Sequence, residues 1–593
     1  MTCDTIPARL FDQAKKQGAS PAYFVRKNGA WVPTAWSVFG DEVRQAARAL
    51  ISLGMEPNGT VCILGFNRPE WVIMDVACMA AGGAPAGIYT TCSPQEVQYI
   101  LDHAESSVVL LEDQDQWEKV NAERERLPKL KHVVMMKGAP SIDDDLVMSW
   151  EEFMAKADET EDSALQDRLD NLEEEQMATL IYTSGTTGPP KAVMLTHKNL
   201  SWTASCALDL VKNSPDDRSL SYLPLSHIAE QMFTIHGPIS VGSSVYYAES
   251  IDKVADNLKE VQPNVVFAVP RIWEKFYAAV STKLGAATGA KAKLVAWARS
   301  VGSKVSELKN RGGQPTGLLA IQYALASKLI FSKLKPALGL GDARVCVSGA
   351  APIGPEILDF FASLDIIIHE VYGQSEDCGP TTFNIPGRTR FGTVGPSLPE
   401  VNVKIGEDGE ILVKGPNVFK GYYKDQAATD AALVDGWLHS GDLGSFDDEG
   451  FLSITGRKKE IIITAGGKNI APKNIEASLK NHELVSQAVV IGDRRKYLSA
   501  LITLEEDAAA RYSEAHGVAV EDLHANEGVV SEIQKAVDAT NALFARVEHV
   551  RKFTVLPRNF SIEDGELTPT LKIKRNKVNE NFATEIEAMY ADA

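Results

Sequence analysis

A stretch of ten residues, 182–191, carries the residue types that bind a polyphosphate. It reads Tyr-Thr-Ser-Gly-Thr-Thr-Gly-Pro-Pro-Lys. Glycine allows backbone N–H groups to converge on an anion, hydroxyl groups donate hydrogen bonds to phosphate oxygens, and lysine adds a positive charge. We therefore expect a phosphate-binding loop formed by Thr183, Ser184, Gly185, Thr186, Thr187, Gly188 and Lys191.

The spacing of this loop differs from that of a Walker A loop, which reads G-x-x-x-x-G-K-[ST] and continues into a helix. Here the two glycines are three residues apart and two prolines precede the lysine. Apolar runs at 178–181 and 192–195 predict a strand on each side of the loop. The loop should therefore join strand to strand, which excludes kinase-like and GTPase-like sites. The alternative interpretation is a Gly/Ser/Thr hairpin without a ligand.

Later segments place further polar residues in a fixed order. Small residues at 348–352 follow an apolar run, so a flat ring could lie close to the backbone. The segments 370–376 and 436–442 read Glu-Val-Tyr-Gly-Gln-Ser-Glu and Gly-Trp-Leu-His-Ser-Gly-Asp. A charge run at 457–460 precedes a glycine pair at 466–467, and the segment 565–575 contains Lys572. Each of these features alone is typical of an ordinary core or surface residue. Their occurrence together in this order predicts a binding site.

Together with 182–191, these segments resemble the adenylate-forming superfamily of acyl-CoA synthetases, peptide-synthetase adenylation domains and firefly luciferase. Ala192 and Leu571 depart from the pattern, because that family usually has glycine at both positions. The resemblance implies ATP, Mg²⁺ and coenzyme A as cofactors. It implies that the nucleotide is contacted by Gly349, Ala350, Ala351, Tyr372, Gly373, Gln374, Ser375, Asp442 and Arg457. It also implies that the Glu376 carboxylate binds magnesium and that coenzyme A is contacted by Gly466, Gly467 and Lys468. The catalytic residues that it implies are Lys572, Thr183, Lys191 and Glu376.

The stretches 221–231, 269–275 and 461–467 look like those of the bubblegum-type branch of long-chain and very-long-chain fatty acyl-CoA synthetases. This resemblance implies a fatty acid substrate and places His227 beside the acyl and phosphate sites as a catalytic residue. A hydrogen-bonded core histidine is the alternative for His227. The implied fold is α/β. A large N-terminal domain of stacked αβ sheets with a small β-barrel-like subdomain would span residues 1–458, and a small, mobile α+β domain would span 459–593.

The implied reaction has two steps. The carboxylate attacks the α-phosphate of MgATP and gives an acyl adenylate and pyrophosphate, and the thiol of coenzyme A then displaces AMP. Lys191 would stabilise the β- and γ-phosphates, and Lys572 the carboxylate and α-phosphate. The second step requires Lys572 to leave and Gly467 to enter, by rotation about a hinge at Lys459.

Other members of the superfamily offer alternatives. A peptide-synthetase domain would need a carboxylate near 225–228 to hold an amino group. A fatty acyl-AMP ligase would carry an insertion near the hinge, and the chain has only nine residues between Arg457 and Gly467. A non-catalytic nucleotide- or acyl-binding protein usually loses the lysine or the glutamate, whereas this chain keeps Lys572 and Glu376. The acyl chain length and the oligomeric state are not encoded in these motifs.

Length and composition agree with this class. The chain has 593 residues, which is more than one hydrophobic core usually supports, so we expect at least two domains. The seven cysteines are scattered and form no C-x-x-C pair, which favours a reducing compartment. We see no signal peptide and predict no transmembrane helix, so a cytoplasmic location is expected. No nucleic-acid partner is expected.

The net charge of −19 is unevenly distributed. Fourteen acidic and two basic residues lie in 143–175, where we expect a solvated, partly helical linker. Eleven basic residues and one acidic residue lie in 275–335, a net charge of +10. Within it, apolar residues at 294, 297, 301, 305 and 308 share one helical face. Either that face packs into the core, or the segment lies on an anionic membrane surface and makes the protein a peripheral membrane protein.

The elements that must position these residues alternate between strands and helices. We predict a strand at 61–64, a helix at 68–81, a second helix at 96–103 that begins with a capping box at Ser93, and a strand at 108–111. Such alternation predicts a largely parallel sheet with helices on its faces. Around 401–413 the pattern changes to short strands, which indicates a small β subdomain.

Overall fold

A computed structural model describes residues 3–183 and 189–591 of the chain. The predicted phosphate-loop residues Ser184, Gly185, Thr186, Thr187 and Gly188 lie outside the described residues, whereas Thr183 and Lys191, at the two ends of the loop, lie within them.

The loop at 184–188 connects two antiparallel strands, as predicted. Tyr182 pairs with Ala192 and Thr183 pairs with Lys191. Ala192 is buried inside the second strand, so its methyl group is accommodated. These strands belong to a mixed sheet whose described members are, in spatial order, Gly421–Tyr422, Lys191–Thr196, Met177–Thr183, Ala84–Ile88, Thr60–Leu64, Val108–Leu111, His132–Met135 and Val147–Ser149.

From Met177–Thr183 onward the members of this sheet run parallel. The central strands Ala84–Ile88, Thr60–Leu64 and Val108–Leu111 are fully buried because helices cover both faces of the sheet, whereas the edge strand Val147–Ser149 is partly buried. The predicted capping box at the start of Pro94–Ala104 is present: the Ser93 side chain accepts a hydrogen bond from the Glu96 N–H, and the Glu96 carboxylate accepts one from the Ser93 N–H.

Two smaller sheets complete the α/β part of the large domain. One contains Arg218–Ser221, Ser244–Tyr247, Pro21–Lys27 and Ala30–Ala35 in the described chain. The other contains Val265–Ala268, Val345–Ser348, Ile368–Tyr372 and Thr382–Phe383, with the first three parallel. Because Val345–Ser348 and Ile368–Tyr372 end at the same edge, the predicted segments 348–352 and 370–376 lie side by side.

The α-helices of the large domain cover these sheets. Their bounds are Ile6–Lys16, Trp36–Ser52, Pro69–Ala80, Pro94–Ala104, Gln114–Ala122, Trp150–Ala155, Asp162–Asp170, His197–Val211, Ile228–Gln231, Gly237–Val241, Val254–Val261, Pro270–Gly285, Gly289–Asn310, Gly317–Ala326, Ser332–Ala337, Pro355–Ala362 and Gln426–Ala432. The acidic run at 143–175 contains two of these helices, so the expectation that it is partly helical is confirmed.

A small antiparallel sheet follows, as the change of pattern near 401–413 predicts. It contains Asn402–Ile405, Glu410–Lys414, Leu433–Val434, Trp437–Phe446 and Leu452–Arg457. The chain then passes through a short 3-10 turn, Lys458–Glu460, which includes the proposed hinge residue Lys459.

The C-terminal part is α+β. A hairpin of Ile462–Ile463 and Asn469–Ile470 precedes a sheet of Val485–Ile491, Leu498–Leu504 and Val550–Val555. Its helices are Pro472–Leu479, Glu506–His516, Glu527–Asn541, Arg575–Asn581 and Ala583–Tyr590. Apolar residues of these elements, among them Ile475, Ala500 and Ile533, form a core of their own.

The predicted apolar face of the basic segment belongs to the helix Gly289–Asn310. Val301 and Val305 are buried against Ala326 and Phe331, so this face packs inside the protein. Of the other residues on this face, Leu294 and Trp297 are partly buried and Leu308 is exposed. The core interpretation is therefore confirmed for this helix.

The next helical stretch of the basic segment differs. Gly317–Ala337 is, by length and composition alone, long and apolar enough to cross a membrane, and most of it is exposed. It consists of two α-helices with a π-helical turn, Ser327–Phe331, between them. Length and composition alone do not show that this stretch crosses a membrane, so the expectation of no transmembrane helix stays a prediction, although the sequence analysis overlooked this stretch.

Candidate active site

The two described ends of the phosphate loop lie beside Tyr422. The Thr183 hydroxyl donates a hydrogen bond to the Lys191 carbonyl at 3.3 Å, which closes the hairpin. The Lys191 ammonium group lies 4.9 Å from the centroid of the Tyr422 ring, within the range of a cation–π contact. Tyr422 reaches this position because its strand pairs with the strand that begins at Lys191. The lysine that we predict to bind phosphate thus lies over an aromatic face.

Tyr422 also contacts the predicted magnesium ligand. Its phenol donates a hydrogen bond to Oε1 of Glu376 at 2.8 Å. Burial and the nearby Glu376 carboxylate raise the pKa of Tyr422, so the phenol keeps the proton that it donates. Tyr422 therefore connects the lysine proposed for the β- and γ-phosphates to the carboxylate proposed for the metal.

The surroundings of Glu376 fit a magnesium ion. Mg²⁺ takes oxygen ligands, keeps several waters and is commonly bound by one or two carboxylates together with substrate phosphates. The Tyr422 phenol donates a hydrogen bond to Oε1 of Glu376, and the second carboxylate oxygen of Glu376 has no protein partner among the described residues. Among these residues, no group of three or more His, Cys, Asp or Glu side chains could form a protein-only metal cage. One carboxylate oxygen beside a phosphate-binding lysine suits a metal held mainly by phosphate and water.

The segments proposed to hold the nucleotide base meet at the sheet edge described above. A Cβ atom on Gly349 would lie 2.7 Å from Cγ1 of Val371, and a Cβ atom on Gly373 would lie 1.5 Å from the carbonyl oxygen of Gly379. Only glycine fits at position 373 without moving the backbone. Ala350 has a φ of 68° and is exposed together with Ala351. Ala350 and Ala351 thus form a small-residue surface at this sheet edge, which we call the shelf.

Hydrogen bonds join this shelf to the proposed ribose site. The Tyr372 phenol donates to Oδ2 of Asp442 at 3.0 Å, and the Gln374 side chain donates to the Ser440 carbonyl at 3.4 Å. Arg457 pairs with Asp442 across the antiparallel strands, and its Nε lies 3.5 Å from Oδ1 of Asp442. Burial raises the pKa of Asp442, and the Arg457 charge opposes that shift. Ser375 is buried at the start of a 3-10 turn that also contains Glu376.

A tight loop from the C-terminal part carries Lys572. The Thr568 N–H donates to the Lys572 carbonyl at 2.8 Å, and the Lys572 N–H donates to the Thr568 hydroxyl at 3.0 Å. Leu571 sits between them with a φ of 59°. This is the left-handed conformation that favours glycine, and it costs a leucine about 1–2 kcal/mol. The unusual residue at 571 therefore keeps the backbone conformation that glycine would adopt.

Lys572 lies where the two parts of the chain face each other, a place we call the cleft, because charges of both parts act on its ammonium group. The residue is exposed, yet neighbouring groups remove water from the ammonium group and lower its pKa. The cations Arg457 and Lys473 lower the pKa further, whereas Glu376 and Asp442 oppose the shift. Lys572 is therefore within electrostatic reach of the proposed metal and ribose carboxylates.

His227 lies beside the same cleft. Its Nδ1 accepts a hydrogen bond from the Ala229 N–H at 3.1 Å, so the neutral ring carries its proton on Nε2. Burial, together with the Lys572 charge, lowers the pKa of His227 to about 4. The ring is thus neutral near pH 7 and offers an Nε2–H donor near Lys572. His227 is hydrogen-bonded and only partly exposed, so its role as a catalytic residue stays a prediction beside that of a hydrogen-bonded core histidine.

A buried carboxylate fixes the turn that holds His227. Oε1 of Glu230 accepts hydrogen bonds from the Tyr222 N–H and from the hydroxyls of Ser221 and Thr234, at 2.8–3.1 Å. The Asn67 amide donates to the same oxygen at 3.3 Å. Burial raises the pKa of Glu230 to about 8. This network anchors the start of the short helix Ile228–Gln231 behind His227.

The predicted coenzyme A contacts lie elsewhere. Gly466, Gly467 and Lys468 form the exposed turn of the hairpin Ile462–Ile463 to Asn469–Ile470. Gly467 has a φ of 71°, and no atom lies within 4 Å of a Cβ built on it. Lys459 is exposed in the connecting turn. The structure thus brings Lys572 into the cleft while the Gly467 turn faces outward.

Two functional contacts escaped the sequence analysis. Tyr422 lies in a Gly-Tyr-Tyr sequence that carries no motif, so no local signal marks it. The Thr91 hydroxyl donates a hydrogen bond to the Pro569 carbonyl at 2.7 Å and thereby ties the Lys572 loop to the large domain. Both contacts join residues far apart in the chain.

The chain is similar to known proteins over most of its length. The family profile described as AMP-binding enzyme matches residues 10–423, and the profile described as AMP-binding enzyme C-terminal domain matches residues 459–593. Long-chain-fatty-acid–CoA ligase ACSBG2 of Xenopus laevis is 36% identical, with 99% of this chain and 84% of that protein covered. Long-chain-fatty-acid–CoA ligase FadD15 of Mycobacterium tuberculosis is 37% identical, with 99% and 97% covered.

Solved structures share the fold. The anthranilate CoA ligase AuaEII in complex with anthranoyl-AMP aligns with a TM-score of 0.71 and 18% identity, covering 98% of both chains. The A domain of carboxylic acid reductase from Segniliparus rugosus, in complex with AMP and a carboxylic acid, aligns with a TM-score of 0.75 and 19% identity, covering 99% of this chain and 94% of that one. The fold is therefore that of adenylate-forming enzymes.

The contacts of Tyr422 generate a prediction. Tyr422→Phe removes the hydrogen bond to Glu376 but keeps the aromatic face under Lys191, whereas Tyr422→Leu removes both. We expect Tyr422→Phe to raise the Mg²⁺ concentration needed for half-maximal adenylation about 3- to 10-fold, because one hydrogen bond to a charged group is lost. Tyr422→Leu should in addition raise the KM for ATP. Pyrophosphate exchange measured over a range of Mg²⁺ and ATP concentrations tests this.

Tyr423→Phe serves as the control, because the neighbouring phenol forms no hydrogen bond to Glu376 in the described structure. Equal Mg²⁺ dependence in the Tyr422→Phe variant and the native protein would contradict the connection between Tyr422 and the metal carboxylate.

Proposed function

The chain belongs to the AMP-binding enzyme family, and we propose that it joins a long-chain fatty acid to coenzyme A through an acyl adenylate, releasing AMP and pyrophosphate. The observation that carries this proposal is the position of Lys572. A lysine from the C-terminal part enters a cleft that also presents Glu376, Asp442 and His227. The names of the full-length relatives support the choice of a fatty acid and of coenzyme A.

In the first step the protein positions groups and stabilises charge. A carboxylate and a polyphosphate repel each other, so their reaction requires fixed cations around the α-phosphate. Lys572 supplies one such cation and Lys191 holds the distal phosphates. Glu376 would hold the magnesium ion, which neutralises phosphate charge when bound. Thr183 and the loop residues 184–188 would add donors to the phosphate oxygens.

The nucleotide is oriented by the shelf at 349–351 and by the segment 372–376. Asp442, assisted by Arg457, would accept the ribose hydroxyls. Asp442 suits this role because Tyr372 and Arg457 fix its carboxylate while leaving it lone pairs to accept further hydrogen bonds. Neutral His227 would donate its Nε2–H toward the carboxylate or the α-phosphate and so stabilise negative charge without competing with Lys572 for a proton.

The second step requires a different arrangement of the two parts, which we propose to be domains at 1–458 and 459–593. Lys572 occupies the cleft in the present arrangement, and the Gly467 turn is exposed at the surface. A rotation about Lys459 would withdraw Lys572 and bring Gly466, Gly467 and Lys468 to the pantetheine arm of coenzyme A. Glycine at 467 would let the thiol-bearing arm pass close to the backbone.

We also propose that the enzyme contacts anionic membranes through residues 275–335. Seven exposed lysines in this segment form no ion pair with any described residue: Lys275, Lys283, Lys291, Lys293, Lys304, Lys328 and Lys333. Arg299 is different, because its guanidinium donates to the Ser363 hydroxyl at 3.0 Å and stacks on Phe360. A fatty acid substrate partitions into bilayers, so an enzyme that collects it gains from a basic surface.

One experiment tests the reaction itself. Pyrophosphate exchange is measured over saturated acids of increasing length, and thioester formation is then measured with coenzyme A. We expect exchange with long-chain acids and conversion of the adenylate to acyl-CoA. Exchange without thioester would instead identify a fatty acyl-AMP ligase. No exchange with any acid would overturn the proposal in favour of a non-catalytic nucleotide-binding protein.

Replacing the cleft lysine should separate the two steps. We expect Lys572→Ala to lower adenylation by about two to four orders of magnitude, since one preorganised charge is lost at the transition state. Thioester formation from supplied acyl adenylate should persist. Lys574→Ala, in the same loop, is the matched control and should retain most adenylation. Equal losses in both steps for Lys572→Ala would contradict the assignment.

Replacing the outward-facing glycine should give the opposite pattern. Gly467→Leu should spare adenylation and slow thioester formation, because the branched side chain obstructs the pantetheine arm only after rotation. Gly517→Leu is the matched control, since Gly517 also has a positive φ, 66°, and open space around it. Both variants carry the same backbone strain, so a defect shared by them would be structural. Normal thioester formation by Gly467→Leu would refute the role of this turn.

The membrane proposal predicts that electrostatic attraction contributes to vesicle binding. Reversing Lys291, Lys293 and Lys304 to glutamate should lower binding to phosphatidylserine vesicles by at least about tenfold at low salt, at roughly 1 kcal/mol per basic residue near the surface. Binding of the native protein should fall as salt is added. Vesicle flotation measures both, and reversal of Lys535, Lys552 and Lys577 in the C-terminal part provides a control. Salt-independent binding would argue against the basic surface.

A further inference from the structure

One helical surface presents large apolar side chains to solvent. Leu318, Ile321, Leu325 and Leu329 are 71%, 68%, 49% and 37% exposed. Their spacing of three, four and four residues places them on one face of the stretch Gly317–Ala337. We call this surface the apolar stripe. A contiguous apolar patch of this kind usually marks a site of interaction.

The other side of the same stretch is fixed to the protein. Ala326 and Phe331 are fully buried against the helix Gly289–Asn310. The Lys309 ammonium donates to the Tyr323 hydroxyl at 2.9 Å and to Asp365 at 2.7 Å. These contacts set the rotation of the helix about its axis. The stripe therefore points outward as a consequence of packing.

We propose that the apolar stripe inserts into the surface layer of an anionic membrane, with the helix lying parallel to the bilayer plane. The proposal rests on the membrane contact proposed above and names the element that enters the lipid. An amphipathic interfacial helix buries its apolar face about 5–10 Å into the boundary between headgroups and acyl chains. From Leu318 to Leu329 the stripe would extend about 16 Å along the membrane.

The charge around the stripe selects a membrane as its partner. The segment 308–341 contains no acidic residue, and exposed lysines flank the stripe at Lys328 and Lys333. The whole chain carries −19 and the segment 275–335 carries +10, so the rest of the protein carries −29. An anionic leaflet repels that body and attracts this face. The protein can therefore approach such a membrane in one orientation.

A second copy of the chain fits this surface less well. A two-fold contact between two stripes would bring the exposed Lys328 and Lys333 of both copies into one interface, because the same patch of each copy takes part. Like charges at such a contact oppose association. Lipid phosphates would instead pair with both lysines, whose aliphatic stems can cover the edge of the stripe while their ammonium groups reach the headgroups.

The helix should lie on the bilayer and not cross it, although its length and composition suffice for crossing. Crossing would separate Phe331 from the core and break the contacts of Lys309 and Lys335 with Asp365, at 2.7 and 3.2 Å. Asp365 would then be left without its two cations. The packing of this helix therefore favours an interfacial position.

Vesicle flotation of paired variants tests the stripe. The variant Leu318→Gln/Ile321→Gln/Leu325→Gln should bind vesicles that contain phosphatidylserine about 10- to 100-fold more weakly, and the loss should persist at high salt because apolar insertion is not screened. The control Ile251→Gln/Val547→Gln/Leu543→Gln alters apolar residues that are 60%, 54% and 63% exposed elsewhere. It should bind like the native protein.

Adenylation of a short, water-soluble acid separates this proposal from the proposed function. Both triple variants should retain that activity, because the stripe lies outside the cleft. Loss of vesicle binding by the stripe variant with activity retained would support insertion of the apolar stripe into the membrane. Absence of ligase activity in the native protein would contradict the proposed function and leave the binding result unaffected.

Hydrogen exchange of the native protein provides a measurement that needs no variant. Amides at 317–331 should exchange more slowly when phosphatidylserine vesicles are added, and amides at 543–547 should not change. Unaltered exchange at 317–331, or full binding by the stripe variant, would overturn the proposal. So would a change from dimer to monomer in the stripe variant with vesicle binding intact, or vesicle binding that resists alkaline carbonate, which would indicate a spanning helix.

Discussion

The charge repulsion between a carboxylate and a polyphosphate is the constraint on which this site depends. In the proposed mechanism, cations held at fixed positions meet this constraint, and one of them, Lys572, is carried by the C-terminal part of the chain. Its ammonium group lies among Arg457 and Lys473, whose charges lower its pKa, and among Glu376 and Asp442, which oppose the shift. Charges of both signs from both parts of the chain therefore act on the Lys572 ammonium group.

The loop that carries Lys572 contains a strained backbone conformation at Leu571. Leu571 adopts a left-handed conformation, φ 59°, which an L-residue with a side chain avoids. Thr568 is fully buried, and both its backbone N–H and its side-chain hydroxyl form hydrogen bonds with the backbone of Lys572. These two bonds close the loop that contains Leu571. Strain of this kind persists where surrounding contacts determine the backbone more strongly than the local preference does. The leucine side chain is 61% exposed, so the position demands a backbone conformation and not an apolar contact.

Much of the site could be predicted from the sequence because its segments obey local rules. Close approach of the backbone at Gly373 demands a glycine. A loop predicted to bind phosphate is recognised by its glycines, hydroxyls and lysine at short spacing. These requirements leave a signature within ten residues. Strand positions followed from apolar runs, and the strand Met177–Thr183 extends the predicted 178–181 by only a few residues. The family resemblance then supplied roles that no spacing could provide.

Contacts between distant segments could not be predicted in the same way. Tyr422 meets Glu376 because a two-residue strand happens to pair with the strand that follows the phosphate loop, and nothing near Tyr422 in the sequence indicates that pairing. The apolar stripe was overlooked for another reason. Leu319, Tyr323 and Ile330 on the packed side are also apolar, so the helix is apolar on most sides. Periodicity cannot separate a buried face from an exposed one in such a helix.

The contacts between the two parts of the chain are suited to a reversible arrangement. Thr91 donates to the Pro569 carbonyl, and the Asn481 amide donates to Glu356 at 2.6 Å. Arg271 lies 3.4 Å from Glu505 in a partly exposed ion pair. Exposed polar pairs contribute about 0–1 kcal/mol each, so undocking along this surface sacrifices little. Each part also keeps its own apolar core, as the clusters around Val61 and Ile475 show. A domain with its own core and a polar docking surface can move from one docked position to another without unfolding. The proposed mechanism needs this property, because Lys572 and Gly467 would have to enter the same cleft one after the other.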